Sequence, residues 1–408
     1  MSDDNNKALA TKYKIKVPAT IDFKETVLVV EDQTDLRLII THQLQKQSFS
    51  NVKQAGNGYD AMEQMKIHEI TSALFICDMD MPVLGGIDFL TELKENQNLN
   101  IGPFCLAMDN VSKEKIMLAV ESGADEILVK PFTLADIFPK LKSAFAKFHN
   151  PNNPEKIYQL AKTRLKSNDL ALAEVIYADL AKSAPKAARP VVGLARIEIK
   201  KNNFEKALAL LDQAKAKNEN FVHTFHEKAL VYTAMNDFDK AIDNFKIAIK
   251  LSPLNAIRYR SAADVLFKVK RWQEAADMLE SAIKSNLEFP DLYNYLSQAK
   301  FALKDYKAAQ KYIKQALGTD PENVAFLNQL GICLKETDQF EEATKIYNQV
   351  IKLDPDNAAA LYNKSVLLHV KGESAEAIKL LERLLKKQPN FAQAASKLAE
   401  YKSAKPAA

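Results

Sequence analysis

An alanine returns every 34 residues across most of the chain, at Ala173, Ala207, Ala241, Ala275, Ala309, Ala343 and Ala377. Twelve residues before each stands another small residue: Ala161, Ala195, Ala229, Ala263, Ser297, Gly331 and Ser365. Twelve residues after come Pro185, Glu219, Pro253, Leu287, Pro321, Pro355 and Pro389. Four residues after come the bulky Tyr177, Leu211, Phe245, Leu279, Ile313, Tyr347 and Leu381. The segments between read as amphipathic helix with no strand pattern. Antiparallel helices cross closely only where their contact residues are small, and a proline stops the second helix before the next pair begins. The bulky residues then fill the space between neighbouring pairs. A hairpin of this size cannot bury its apolar face alone, so the repeats must stack. The expectation is an α-solenoid of seven hairpins over 154–390. A cap helix and tail follow over 391–408, with Phe391, Ala395, Leu398 and Tyr401 on one face.

The chain before the repeats follows another rhythm. Short apolar runs at 27–30, 52–55, 74–77, 103–107 and 127–129 alternate with helical patterns at 35–49, 59–67, 89–93, 113–122 and 134–148. Gly123 closes the fourth of these helices. Five such alternations over 21–149 predict an α/β fold, a doubly wound five-stranded parallel sheet. Residues 1–20 are polar with scattered lysines and read as a flexible tail. The stretch His149-Asn-Pro-Asn-Asn-Pro154 marks a short linker at 150–153, so the two parts cannot move far apart.

Two of the apolar runs end in acids. Ser72-Ala-Leu-Phe-Ile-Cys-Asp78 places a carboxylate at the carboxyl end of a buried strand, where open α/β sheets hold their ligands. Val27-Leu-Val-Val-Glu31-Asp32 ends an earlier strand the same way. Adjacent parallel strands with these ends bring three carboxylates together, and such a cluster calls for a cation.

These residues resemble the receiver domain of bacterial two-component response regulators over roughly 24–148. The marks are the pair Glu31-Asp32, the Asp78-x-x-x-Pro82 spacing with Gly86, and Gly123-Ala-Asp-Glu-Ile-Leu-Val-Lys130-Pro131. The resemblance implies that Asp78 accepts a phosphoryl group from a phosphohistidine on a histidine kinase or phosphotransfer protein. It implies Mg²⁺ as cofactor, held by Asp32, Asp78 and the backbone carbonyl of Asp80, with Glu31 acting through water. Lys130 would pair with Asp78 and then with the phosphoryl oxygens. Phosphoryl transfer is mostly positioning and charge neutralisation, which these groups supply. Three positions depart from the family. Met108 stands where a Ser or Thr hydroxyl ends strand four, and a thioether donates no hydrogen bond. Asp109 follows where a small residue is usual, and Ile127 replaces the aromatic on strand five.

The 34-residue repeat resembles the tetratricopeptide family. That resemblance places His223, His226, Arg260, Asp264, Asn294, Gln298, Asn328, Tyr362 and His369 on a concave groove that takes a protein or peptide ligand. Asparagines at equivalent places, Asn294 and Asn328, would hold an extended backbone. His223 and His226 have no third ligand nearby in sequence, so a metal site there is not expected. The repeats carry no catalytic constellation, so an enzymatic output is not expected.

Charge is unevenly spread. Residues 21–149 hold 19 Asp/Glu against 12 Lys/Arg, a net of −7, whereas the residues after 149 carry +9 of the overall +4 once the +2 of the first 20 is counted. An acidic part joined to a basic part can dock on itself or meet an acidic partner; an ordinary lysine-rich helical surface has the same balance. A nucleic-acid partner is not expected, because no DNA-binding module follows the sheet. No apolar run reaches membrane-span length, and the first residues lack the order of a secretion signal. Cys77, Cys105 and Cys333 lack metal or redox spacing and read as buried thiols of a reducing cytoplasm. The functional expectation is a response regulator whose receiver controls protein binding by the repeats. The alternative is a phosphorylation-independent scaffold with a degenerate receiver.

Overall fold

The computed structural model describes residues 3–14, 26–47, 49–70, 73–95, 102–150, 153–285, 287 and 290–403. Strands β1 (Thr26–Val30), β2 (Val52–Ala55), β3 (Ala73–Asp78), β4 (Phe104–Met108) and β5 (Glu126–Val129) pair in parallel in the order β2-β1-β3-β4-β5. β1 and β3 are neighbours in register Val30↔Cys77, so Glu31, which follows β1, and Asp78, which ends β3, emerge side by side. All six residues of β3 are buried, as the unbroken apolar run requires of a central strand covered on both faces.

Helix α1 (Asp3–Lys12) precedes the sheet. α2 (Thr34–Lys46), α3 (Gly58–Ile67), α4 (Gly86–Glu95), α5 (Lys113–Ser122) and α6 (Leu134–His149) follow the strands in turn. One face of the sheet packs Phe75, Cys77, Phe104, Leu106 and Met108 against Phe89, Leu90 and Leu93 of α4 and Leu118 and Ala119 of α5. The other packs Val27, Val29, Ile76, Cys105 and Leu128 against α2 and α6 through Ile40, Leu44, Ile137, Leu141 and Phe145. α2 stops at Lys46, short of the expected 49.

The repeats form seven hairpins and a last helix. The pairs are α7 (Pro154–Lys166) with α8 (Leu170–Ser183), α9 (Arg189–Lys200) with α10 (Phe204–Lys217), and α11 (Val222–Ala234) with α12 (Phe238–Leu251). They continue as α13 (Ala256–Lys268) with α14 (Trp272–Lys284), α15 (Pro290–Ala302) with α16 (Tyr306–Thr319), and α17 (Val324–Glu336) with α18 (Phe340–Leu353). α19 (Ala358–Val370) pairs with α20 (Ser374–Lys387), and α21 (Ala392–Ser403) covers the end. The recurring alanines and the recurring bulky side chains are all buried. In the sixth hairpin the small residue is a glycine for a reason: a Cβ on Gly331 would lie 2.5 Å from the ring of Tyr347. The buried serines at the same position satisfy their hydroxyls, Ser297 by donating to Ala309 O at 2.8 Å and Ser365 to Tyr362 O at 2.6 Å.

The turn within each hairpin repeats as strictly as the helices. Asn168, Asn202, Asn236, Lys270, Lys304, Asp338 and Gly372, each 34 residues on, all have φ between 57° and 86°. The left-handed conformation ends the first helix. Asparagine and glycine tolerate it, whereas the two lysines do so at a cost.

The chain divides into two compact units, Met1–Asn255 and Ala256–Ala408. The expected flexible tail needs correction over Asp3–Lys12. α1 is helical and sets Leu9 among Ile157, Tyr158, Ile176 and Leu180 of the first hairpin. Tyr13 donates to Asp179 at 2.5 Å, and Lys12 pairs with the same carboxylate. Two apolar residues suffice for this docking, which is why composition alone reads as a loose tail. Of the expected tails, residues 1–2, 15–20 and 404–408 lie outside the described residues.

Candidate functional site

The site grows from two strand ends. β3 delivers Asp78, only 3% exposed, and the turn after β1 delivers Glu31, buried, and Asp32, exposed. One oxygen from each of the three carboxylates lies within 4.8 Å of the others. Lys130, immediately after β5, reaches across with its Nζ 2.8 Å from Glu31 Oε2 and 2.9 Å from Asp78 Oδ2. The same Nζ lies 3.8 Å from Asp109 Oδ1, whose side chain is 61% exposed. The peptide bond between Lys130 and Pro131 is cis.

The backbone holds Asp78 closely. Gly86 N donates to Met79 O at 3.1 Å, and a Cβ on Gly86 would lie 2.1 Å from the carbonyl oxygen of Asp78. Only glycine permits that approach. In the loop between them Val83 takes φ +69°, an uncommon conformation for a β-branched residue, and is exposed.

Burial raises the Asp78 carboxyl above its ordinary value; Lys130 pulls it back, and Asp109 and Asp80 add to the rise. Burial also raises Glu31, opposed by Lys130 and assisted by Asp78. Burial works against the charge on Lys130, but the two carboxylates outweigh it and its ammonium is held above the usual range. The second oxygen, Asp78 Oδ1, is buried and accepts no hydrogen bond from the described residues. A buried lone-pair oxygen beside a three-carboxylate cluster with one full cation partner is the donor set that a hard divalent ion such as Mg²⁺ satisfies.

The other expected site residues fall in three places. Asp80 turns its carboxylate away to Lys115 of α5, at 2.6 Å, which leaves its backbone carbonyl as the ligand it can offer. Met108 is fully buried among Phe75, Leu106 and Leu118, and half-buried Ile127 packs on the same cluster. The groove candidates are spread over successive first helices. On α11 the His226 ring meets Phe245 edge-on at 5.8 Å. Arg260 on α13 and Asn294 and Gln298 on α15 are half-buried. Asn328 on α17 donates to Asn357 Oδ1 at 3.2 Å, while Asp264 accepts from Tyr295 at 2.8 Å. Tyr362 packs on Phe391 at 5.7 Å and His369 stacks on Tyr401 at 3.7 Å, so both serve the terminal cap.

The opposed charges allowed the sheet part to dock on the repeats, but no sequence pattern placed the residues of the seam with the first three hairpins. A cleft of about 900 Å³ has Lys94, Ile116, Val120 and Asp125 on one wall and Tyr158, Lys162, Val192, Arg196 and His223 on the other. At its edge Ser252, after α12, donates to Glu121 Oε2 of α5 at 3.1 Å. Leu254 packs on the sheet's own core cluster. The α5 end is held by Lys94, which donates to Ser122 O at 2.8 Å and Gly123 O at 2.6 Å. The opposed net charges were the one sequence signal for this seam.

A family model for the response regulator receiver domain matches residues 27–142. Tetratricopeptide repeat models match 164–223, 226–286, 260–324, 300–353 and 338–401. A probable chemotaxis protein CheY of Rhizobium etli is 30% identical over 122 residues, 30% of this chain and 93% of that protein. Chemotaxis protein CheY-3 of Vibrio cholerae is 28% identical over 121 residues, 30% of this chain and 92% of that protein. Among solved structures, YrrB, a tetratricopeptide protein described with an unusual peptide-binding site, is 24% identical; the match covers 46% of this chain and 96% of YrrB, with a TM-score of 0.40. The chain belongs to the response regulator receiver family, with tetratricopeptide repeats after the receiver. That arrangement is one of a response regulator with a protein-binding output. No described helix is long and apolar enough to cross a membrane.

Proposed function

We propose that Asp78 is a phosphoryl acceptor and that its state controls what the repeats bind. The observation that carries this is the placement of Asp78, buried at a strand end, with Lys130 at 2.9 Å on Oδ2 and no partner for Oδ1 among the described residues. Asp32, Asp78 and the Asp80 carbonyl would hold Mg²⁺, with Glu31 at one remove. When bound, the ion neutralises the charge that gathers between acceptor and phosphoryl group. Lys130 holds one acceptor oxygen in place and then bonds the phosphoryl oxygens; Gly86 lets the backbone close behind Asp78. The donor is a histidine kinase or phosphotransfer protein, and the setting is cytoplasmic. The repeats bind a protein or peptide, and the chain has no catalytic output of its own.

Buried Met108 cannot bond a phosphoryl group, so the signal needs another route. Lys115 provides one, because it ties the loop after Asp78 to α5, and α5 is the helix that meets Ser252. The same Met108 favours a second reading, a scaffold whose receiver only docks.

The deciding experiment is intact mass after acetyl phosphate and Mg²⁺, on wild type and Asp78→Asn, with hydrogen exchange across α5, α7, α9 and α11. An adduct on wild type alone, with changed exchange at the seam, is expected. An adduct without that change would refute control through the seam. No adduct, even with a phosphorylated histidine donor, would establish the scaffold.

A further inference from the structure

The site holds four carboxylates, Glu31, Asp32, Asp78 and Asp109, around one lysine. Asp109, like Asp32, is exposed, whereas Glu31 and Asp78 are buried. The Asp109 side chain is 61% exposed, and among the described residues its ion-pair partner is Lys130, at 3.8 Å. It therefore faces the mouth of the site, on the side from which a phosphoryl donor must enter, while Glu31 and Asp78 form the floor. Nothing in the fold demands it there, since an exposed side chain at the end of β4 packs on no core.

We propose that Asp109 is a specificity-determining residue that trades phosphoryl donors against cations: its charge strengthens divalent-ion binding and slows phosphorylation by small free dianions. This rests on the reading of Asp78 as acceptor. Three carboxylates and one lysine leave the site at a net charge of −2; Asp109 makes it −3. A divalent cation brings that to −1, still negative when the donor arrives. Without Asp109 the loaded site is neutral. In the transfer, an Asp78 oxygen forms the new P–O bond as the P–O bond to acetate breaks, and acetate leaves with the electron pair, so no proton moves. The donor's phosphoryl oxygens approach Lys130, the cation that Asp109 also faces. A donor carried by a protein can offset the repulsion with its own surface charge, which free acetyl phosphate cannot do.

The test compares the full chain with Asp109→Asn and Asp109→Ala in two assays. One is the initial rate of adduct formation with acetyl phosphate at saturating Mg²⁺, read by intact mass. The other is Mg²⁺ affinity by calorimetry with no donor present. Both variants should phosphorylate faster, on the order of tenfold, and bind Mg²⁺ several-fold more weakly. Both differences should shrink in 1 M salt, where screening is short-ranged. A packing role would not move the two readouts in opposite senses. Rates within about twofold of wild type, or both readouts moving together, would overturn the proposal while leaving Asp78 as acceptor. No adduct on wild type or either variant would overturn the acceptor reading, and the proposal with it.

Discussion

Replacing Lys130 with methionine removes the one ammonium that two buried carboxylates share and keeps the apolar stem below it. Glu31 and Asp78 then face each other in a site from which water is nearly excluded, with side-chain exposures of 2% and 3%. Stripping one partner from a buried ion pair costs about 3–5 kcal/mol, because the charge left behind has lost its compensation. For a cooperative unit of this size, each kcal/mol lowers Tm by roughly 2–4 °C, so metal-free Lys130→Met should melt on the order of 10 °C below wild type. Divalent cation should restore much of the loss. At a hundred times its Kd a ligand adds about 2.7 kcal/mol, and the variant's unneutralised site should bind Mg²⁺ more tightly than wild type does. The assay is thermal unfolding of both proteins at neutral pH, with chelator and then with increasing Mg²⁺. A variant that melts with wild type in chelator, or that gains no more from Mg²⁺ than wild type, would refute the argument that Lys130 is the site's resident counter-charge.

Asp78→Asn should stabilise the metal-free protein at neutral pH. The folded carboxyl is raised, so its ionisation costs stability as pH rises above the unfolded value, and the gain should vanish as pH falls towards about 4. A gain that grows on acidification would contradict the sign. Gly86→Ala, whose Cβ would sit 2.1 Å from Asp78 O, should lose about 1–3 kcal/mol and weaken Mg²⁺ binding together, checked by denaturant unfolding and calorimetry. Lys270→Gly and Lys304→Gly should each stabilise the fold by about 0.5–1 kcal/mol, read as a raised denaturation midpoint, because relief of the left-handed backbone exceeds the added unfolded-state freedom. A lowered midpoint would show that the lysine side chains repay the strain.

The repeats were legible because one physical constraint recurs seven times and each recurrence checks the last. Ala173 to Ala377 mark helix contacts whose tolerance for size is low, and burial of every one follows from that. The sheet was legible for a similar reason, since apolar runs ending in Glu31 and Asp78 admit few arrangements. α1 was not, because a docked helix with two buried apolar residues has the composition of a loose tail. The Lys115–Asp80 pair and the Ser252–Glu121 contact join residues 35 and 131 positions apart, and no local pattern announces such a meeting. Tyr362 and His369 looked like groove residues by position, but the rings of Phe391 and Tyr401 claim them.

The compact unit ends at Asn255, three hairpins beyond the point where the sequence changes from one family to the other. Heredity and architecture thus draw their borders in different places. A recombination event that exchanged the receiver at the linker would deliver a new α5 to an old Ser252 and Leu254, and the hybrid would inherit a mismatched seam. The receiver of this chain is therefore not freely exchangeable cargo, and viable shuffling should carry the first three hairpins along with it.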